Sequence, residues 1–153
     1  MIHRIFVYGS LKRNFHNHSL LSSSKFVTTT RTKNAFFDMI SLGSFPAVLA
    51  SGNSSIEGEL YEVDDNTLAR LDRLEGEGSW YKRVMVALVG QNKPAWMYVM
   101  IHNDYEIDYS CVDSTEINSV NVLNWNYKST PSLYTADEEW RKIFESILND
   151  EEY

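Results

Sequence analysis

The 153-residue chain contains very little cysteine: Cys111 is its single thiol. One thiol cannot form an internal disulfide framework or a four-cysteine zinc site, so both are excluded. This cysteine usage is typical of a reducing compartment, and the cytoplasm is the expected location. The four histidines show no HExxH spacing. We therefore expect them to be hydrogen-bonded or solvated rather than to hold a metal ion.

Long hydrophobic runs are also absent from the sequence. No segment approaches the roughly 18 consecutive apolar residues of a membrane-spanning helix, so no membrane association is expected. The chain weighs 17.7 kDa, and 43% of its residues are hydrophobic and 13% aromatic. A disordered chain would have fewer aromatic residues. These values predict one soluble globular domain over residues 1–153.

Acidic residues are missing from the start of the chain. Residues 1–37 contain six lysines and arginines and no carboxylate, although the whole chain has 14 basic and 21 acidic residues and a net charge of −7. The overall negative charge argues against a general nucleic-acid binder, which needs an excess of cations. The acid-free stretch could form a surface patch or one wall of a pocket for an anion.

Hydrophobic periodicity predicts many short strands. The predicted strands cover residues 2–8, 26–32, 35–42, 56–63, 81–89 and 95–101. Turn-forming clusters lie at residues 43–46 and 51–55. Over residues 56–63 apolar and polar side chains alternate, which predicts a half-buried strand. Residues 102–132 show no clear pattern, although a loop of that length is unusual and part of it should be ordered.

Two helices are predicted, and residues 14–21 could form a third, short helix or a turn. Asp64 is a suitable N-cap for the first, whose leucines at 68, 71 and 74 form one apolar stripe and which ends at the glycines 76 and 78. A capping box at residues 135–138 precedes the second helix, over residues 136–149. Many strands with few helices favour an α+β fold with a mostly antiparallel, curved sheet or small barrel.

The first candidate for chemistry is Tyr8-Gly9-Ser10-Leu11, directly after the first strand. A glycine at a strand end lets the backbone turn with its N–H groups exposed, and such groups can bind carboxylate or phosphate oxygens. The cations Lys12 and Arg13, which follow directly, strengthen the preference of this turn for an anion. A plain turn would show the same pattern.

The second candidate is Glu75. It lies four residues after Leu71 and seven after Leu68, so all three share one face of the helix. Desolvation and the negative end of the helix dipole both disfavour a charged carboxylate there, and both raise its pKa. A raised pKa suits a general base at neutral pH. If the helix ended one residue earlier, Glu75 would instead point into water.

Tyr81 and Arg83 lie two residues apart on a predicted strand and therefore face the same side of it. A phenol and a guanidinium on one face could line a polar pocket. They could equally form a pair on the surface.

Five motifs in this chain occur in the order seen in γ-glutamylcyclotransferase-like proteins, which the sequence resembles over residues 2–100. The best match is the γ-glutamylamine cyclotransferase branch, with its avirulence-induced plant relatives. The motifs lie at residues 8–13 with 17–18, then 45–48, 58–63, 71–76 and 81–83. Asn14 stands where many relatives have glycine, and asparagine tolerates the positive φ of such a turn.

The resemblance implies a small mixed, mostly antiparallel β-barrel flanked by helices. It implies that the backbone of residues 8–11 holds the α-carboxylate of a small γ-glutamyl substrate. Tyr81 is implied as a further substrate-binding residue, and Glu75 matches the family's catalytic glutamate. Further pocket positions are Lys12, Arg83, Pro46 and Phe45, the last where tyrosine is common.

The implied reaction is an intramolecular cyclisation. Glu75 would deprotonate the α-amino group of the substrate, which attacks the side-chain amide, and would then protonate the leaving amine. The products are 5-oxoproline and a free amine or amino acid, and no metal or cofactor is required. The enzyme would be a lyase or acyltransferase of this family.

Two other functions stay open at the sequence level. A non-catalytic module could keep the pocket and bind a γ-glutamyl compound or another anion without converting it. A structural or interaction protein could use residues 102–132 as its contact surface. The sequence does not determine the oligomeric state.

Overall fold

A computed structural model describes residues 1–15, 17–101 and 107–127. These residues form eight strands, one α-helix and a short 3-10 helix at His18–Leu21. In chain order the elements are β1 (His3–Val7), β2 (Lys25–Arg31), β3 (Phe37–Ser41), β4 (Pro46–Val63), α1 (Asp65–Glu75), β5 (Tyr81–Val86), β6 (Ala95–Met100), β7 (Val112–Ile117) and β8 (Val120–Trp125). Neither helix in these ranges is long and apolar enough to cross a membrane. The helix predicted at residues 136–149 lies outside the described residues.

The strands form one mixed, mostly antiparallel sheet. Its order is β5-β6-β1-β4-β8-β7, and β2 and β3 also pair with β4. The pairs β1–β6 and β4–β8 are parallel, and the other pairs are antiparallel. The α+β prediction is confirmed. The sheet is twisted and barrel-like but does not close into a barrel, because β5 and β7 are edge strands among the described residues.

The central strand β4 contains a segment that the sequence predicts as a turn. Residues 51–55 do not reverse the chain but continue the strand. The pairing with β3 jumps between Leu49 and Ser54, so the residues between them bulge out of the ladder. Gly52 sits in this bulge, where an added Cβ would lie 2.4 Å from the Phe37 carbonyl oxygen. Turn-forming composition therefore produces a wide bulge here.

The hydrophobic core lies on both faces of the sheet. Along β1, Ile5 and Val7 join one cluster of buried residues, whereas Phe6 joins the other. Three leucines of α1, at positions 68, 71 and 74, pack into the first cluster, as the apolar stripe predicts. The helix begins as predicted, because the Asp64 carboxylate accepts a hydrogen bond from the Thr67 amide. The packing of Leu74 in this cluster fixes the C-terminal end of α1 against the sheet.

One face of β4 is more buried than the alternating pattern predicts. Glu59 and Tyr61, expected on a polar face, are 8% and 1% exposed. The loop after β1 and the strand β2 cover them: Arg13 bonds to Glu59, and the ring of Phe26 packs edge-on against Tyr61. The strand is buried on both faces, which the local sequence of one strand does not reveal.

Residues 112–125, within the segment without a readable pattern, form the β7–β8 hairpin. Its two-residue turn is Asn118-Ser119, with φ of 52° and 67°. Two consecutive positive φ values are typical of a type I′ turn, which matches the twist of paired strands. The usual signal for this turn is Asn-Gly, and serine in the second position conceals it. The hairpin joins the sheet through the parallel pairing of β8 with β4.

Candidate active site

The loop after β1 forms the first part of the site. A hydrogen bond of 3.0 Å from the Lys12 amide to the Gly9 carbonyl closes a tight turn. Asn17 holds the loop twice, because its backbone amide donates to the Ser10 carbonyl and its side chain donates to the Ser10 hydroxyl, both at 3.0 Å. The ring of His18 bonds to the Leu11 carbonyl at 3.0 Å. Apart from the Lys12 amide, these bonds use carbonyl oxygens and a hydroxyl of the turn and not the amides of Ser10 and Leu11.

The amides of Ser10 and Leu11 have no protein acceptor within the part of the chain that the structure describes. Consecutive free N–H groups in a turn can bind an anion, as the sequence predicts for this loop. Asn14, where relatives often have glycine, has a φ of 72°. The loop therefore keeps the backbone conformation that glycine would favour.

Gly9, Pro46 and Tyr81 lie in contact. A Cβ added to Gly9 would lie 2.9 Å from the ring of Pro46, so the close approach requires glycine. The Tyr81 hydroxyl donates to the Pro46 carbonyl at 3.3 Å. Phe45 is partly buried beside them, and its carbonyl accepts a hydrogen bond from Leu42 in the β3–β4 turn. Residues that three separate motifs predict to bind the substrate or line the pocket therefore meet.

Glu75 is the last residue of α1, and Gly76 caps the helix in the left-handed conformation with φ 59°. Its side chain is partly buried and keeps some contact with solvent. Desolvation, and after it the negative charge of Asp72, raises the pKa of Glu75 to about 8. Among the described residues no donor forms a hydrogen bond to its carboxyl group. The environment that the apolar stripe predicts is thus present.

Tyr8 connects the loop to Glu75. Its hydroxyl donates to the Tyr98 carbonyl at 2.8 Å. Burial and then the charge of Glu75 raise the pKa of Tyr8, while a hydrogen bond with the backbone of Val48 lowers it. An electrostatic influence of that kind requires the phenol and the carboxyl group to be near each other. The Tyr8 phenol at the start of the loop is therefore within electrostatic range of Glu75 at the end of α1.

Asp72 and Tyr98 belong to this cluster, although the sequence did not single them out. The Tyr98 hydroxyl donates to the Asp72 carboxylate at 2.7 Å, and Arg83 Nε lies 2.7 Å from the same oxygen. Burial, and then the bond to Asp72, raises the pKa of Tyr98. The spacing of Asp72 from Glu75, three residues on one helix, could have found Asp72. Tyr98 faces Arg83 across the β5–β6 ladder, a register that no local pattern reveals.

Arg83 is committed to Asp72 rather than left open for a ligand. Its guanidinium also stacks over the ring of Trp96, with 4.5 Å between the guanidinium carbon and the ring centroid. Arg83 and Tyr81 face α1 together, as their spacing predicts. Arg83 is therefore connected to Glu75 through Asp72, with which it pairs and whose charge acts on Glu75.

Lys12 and Arg13 are turned away from the space around Glu75. The Lys12 ammonium donates to the Asn124 side chain at 2.9 Å and to the Trp125 carbonyl at 2.8 Å, both on β8. Arg13 pairs with Glu59 and covers the ring of Phe26. The prediction that these cations strengthen an anion site is not supported by this geometry, because both have protein partners.

Metal-binding groups are not found in the described part of the chain. Within residues 1–15, 17–101 and 107–127, no three His, Cys, Asp or Glu side chains lie close enough together to hold an ion. The groups assembled between the loop and α1 are a carboxyl, phenols and free amides. Such groups can bind an anion and transfer a proton.

Solved structures share the fold of this protein. An AIG2-like protein from Mus musculus matches 84% of this chain and 98% of its own, with a TM-score of 0.61 and 24% identity. A protein from Pyrococcus horikoshii matches 69% of this chain and 83% of its own, with a TM-score of 0.59 and 24% identity.

Sequence relatives extend the comparison. A Vibrio cholerae protein is 35% identical over 114 residues, 74% of this chain and 94% of its own. A Methanocaldococcus jannaschii protein is 39% identical over 99 residues, 61% of this chain and 81% of its own. Both carry provisional names as γ-glutamylcyclotransferases. The family model described as γ-glutamyl cyclotransferase, AIG2-like, matches residues 5–139. The chain belongs to this AIG2-like γ-glutamylcyclotransferase family.

Proposed function

We propose that this protein is a cyclotransferase that converts a γ-glutamyl amine or γ-glutamyl amino acid to 5-oxoproline and a free amine. The observation that carries the proposal is the Glu75 carboxyl group, which has a pKa near 8 and no bonded donor among the described residues, beside the loop of free amides. Membership of the family and the names of the relatives support the same class of reaction.

The free amides of Ser10 and Leu11 would hold the α-carboxylate of the substrate. The α-ammonium of the γ-glutamyl group would then be directed towards Glu75, whose charge acts on the Tyr8 phenol at the start of the loop. Holding the α-carboxylate and the α-amine fixes the Cα end of the flexible glutamyl chain, and the conformer in which the chain folds back brings the amine to the side-chain carbonyl. Such positioning can contribute several kcal/mol to lowering the barrier, about 7–11 in well-oriented systems.

Proton transfer by Glu75 completes the reaction. The carboxylate takes a proton from the α-ammonium, and the free amine attacks the side-chain amide carbon to close a five-membered ring. A second proton leaves the ring nitrogen as the C–N bond to the leaving group breaks. Both protons end on the departing amine, which leaves as an ammonium ion. Because the transfers are sequential, one carboxyl group can carry them, and a pKa near neutral pH suits both directions.

The leaving group defines the substrate class. Leu11 and Lys12 after Tyr-Gly-Ser resemble the γ-glutamylamine branch more than the glutathione-directed one. We therefore expect γ-glutamyl amines, which lack a carboxylate on the leaving side, to be the better substrates. Arg83 would not favour a second carboxylate, because Asp72 already neutralises it.

The test is release of 5-oxoproline from a panel of γ-glutamyl amines, γ-glutamyl amino acids and glutathione. Wild type should form 5-oxoproline and free amine in equal amounts. Glu75→Gln should lower kcat by at least about 100-fold, the usual contribution of a general base. Glu116→Gln, at an exposed carboxylate of β7, is the matched control and should match wild type.

Two results would contradict the proposal: no 5-oxoproline from any member of the panel, or equal activity of Glu75→Gln and wild type. If a γ-glutamyl ligand raises the melting temperature of wild type and is recovered intact after hours, the protein is a non-catalytic binding module instead.

A further inference from the structure

Lys12 is a cation buried at the end of the substrate-binding loop. Its residue is 7% exposed. The ammonium donates to Asn124 Oδ1 and to the Trp125 carbonyl, and it lies 4.9 Å from the centroid of the Phe15 ring. Burying an ammonium is costly unless acceptors surround it. Two acceptors and an aromatic face satisfy most of the hydrogen-bonding capacity of the ammonium, so the folded protein provides a binding site for this side chain.

The electrostatic surroundings keep the Lys12 charge in place. Burial lowers the pKa of Lys12, but the carboxylates of Glu59, Glu57 and Asp113 act in the opposite direction. These three carboxylates come from β4 and β7, the strands next to β8. The ammonium is thus held by the sheet rather than by groups around Glu75.

The backbone of Lys12 closes the turn that presents the free amides. Its N–H donates to the Gly9 carbonyl, so a displacement of Lys12 would open the turn containing Ser10 and Leu11. At the other end of the side chain, Trp125 is fully buried in the second core cluster. The Lys12 side chain therefore joins the loop to a rigid part of the sheet.

We propose that Lys12 is a positioning residue, whose bonds to Asn124 and the Trp125 carbonyl hold the Ser10 and Leu11 amides in place for the substrate carboxylate. It acts through the loop and does not contact the substrate. The β7–β8 hairpin thereby takes part in substrate binding although it supplies no residue to the site. The consequence for turnover rests on the proposed function, whereas the consequence for the loop does not.

A double-mutant cycle on Lys12 and Asn124 separates this role from direct binding of the substrate. Asn124→Leu removes one acceptor and keeps the ammonium, so it should raise KM about 3- to 10-fold with kcat nearly unchanged. Lys12→Met should raise KM more strongly, about 10-fold or above. Adding Asn124→Leu to Lys12→Met should not change KM further, because the hydrogen bonds between Lys12 and β8 are already lost. Lys33→Met, at an exposed lysine, is the control.

A cation that binds the substrate directly would give a different cycle. Asn124→Leu would then leave KM unchanged, or the two substitutions would multiply their effects. Either result would overturn the proposal. Lys12→Arg keeps a donor at the end of the side chain, so its KM should lie between those of wild type and Lys12→Met. A KM as high as that of Lys12→Met would contradict the proposal that Lys12 acts through its bonds to β8.

Amide hydrogen exchange measured by NMR tests the connection between Lys12 and β8 without a measurement of turnover. The Asn17 amide donates to the Ser10 carbonyl and reports on the position of the loop. Its exchange should quicken about 10-fold or more in Lys12→Met and less in Asn124→Leu, with the Leu71 amide in α1 unchanged. Unchanged exchange at Asn17 in both variants would overturn the proposal. If wild type shows no turnover, the proposed function fails, but this exchange measurement still decides the role of Lys12.

Discussion

The buried carboxyl group of Glu59 and the partly buried carboxyl group of Glu75 have different surroundings. Glu59, beside Arg13, accepts hydrogen bonds at 2.9 Å from the Arg13 amide and from the Tyr61 hydroxyl, and the Arg13 guanidinium lies 3.5 Å away. Glu75, beside Tyr8, receives no hydrogen bond from any described residue. Its nearest charged influence is the negative charge of Asp72.

The comparison distinguishes a structural carboxylate from a reactive one. A buried carboxylate with donors and a cation is stable as an anion and holds its neighbours in place. Without them, the carboxyl group keeps its proton to higher pH and can accept donors from a ligand. Glu59 thus fixes the loop, whereas Glu75 is available to a substrate. The following substitutions test this distinction.

The largest expected difference is the stability of Glu75→Gln relative to wild type at high pH. The pKa of Glu75 rises from an ordinary 4.5 to about 8 on folding. Between these values the folded protein keeps a proton that the unfolded chain releases, so the free energy of unfolding falls as pH rises, by at most about 1.4 kcal/mol per unit. Glutamine carries no such charge. Urea unfolding should show Glu75→Gln more stable than wild type by about 2–4 kcal/mol at pH 8.5.

That gain should shrink as the pH falls and disappear below pH 4.5, where glutamate becomes protonated in both states. Glu116→Gln serves again as the exposed control and should show no comparable trend. A Glu75→Gln variant less stable than wild type at pH 8.5 would mean that the Glu75 carboxylate has strong partners in the folded protein.

Glu59→Gln should act in the opposite direction. Glutamine cannot accept at both carboxyl oxygens, so the Arg13 amide, the Arg13 side chain or the Tyr61 hydroxyl loses its acceptor. A buried donor without a partner costs about 1–3 kcal/mol, and urea unfolding at pH 7 should show that loss. Retention of full stability would remove the distinction between the two carboxyl groups.

The smallest expected effect is that of Asp72→Asn on the pH dependence of kcat/KM. The charge of Asp72 is the second cause of the raised pKa of Glu75, after burial. Its removal should shift the midpoint of the rise in kcat/KM to lower pH, by about one pH unit. The α-amino group of the substrate titrates equally with both enzymes and does not affect the difference. A shift to higher pH, or none, would contradict this role of Asp72.

Local sequence predicted the parts of the site that depend on one element. The stripe of Leu68 and Leu71 correctly placed Glu75 on the core-facing side of α1, and the glycine after β1 correctly marked a turn, in which the Ser10 and Leu11 amides have no acceptor among the described residues. The family resemblance then related the two. Asp72 could have been found from its spacing on the same helix, whereas Tyr98 reaches the cluster only through the pairing of β5 with β6.

Local sequence failed where a distant strand decides the environment. Lys12 looks like an open cation beside an anion site, but β8 arrives from more than 100 residues later and binds it. Glu59 looks solvated until the loop and β2 cover it. The segment at residues 51–55 was wrongly predicted as a turn, because pairing with several neighbours carries β4 through it.

The central claim is that Glu75, whose carboxyl group accepts no hydrogen bond from any described residue, exchanges its proton near pH 8. The most direct measurement is a ¹³C NMR titration of the glutamate side-chain carboxyls in the ligand-free protein, with the Glu75 signal assigned by its loss in Glu75→Gln. The account predicts a titration midpoint near pH 8. A midpoint near the ordinary value of 4.5 would contradict it.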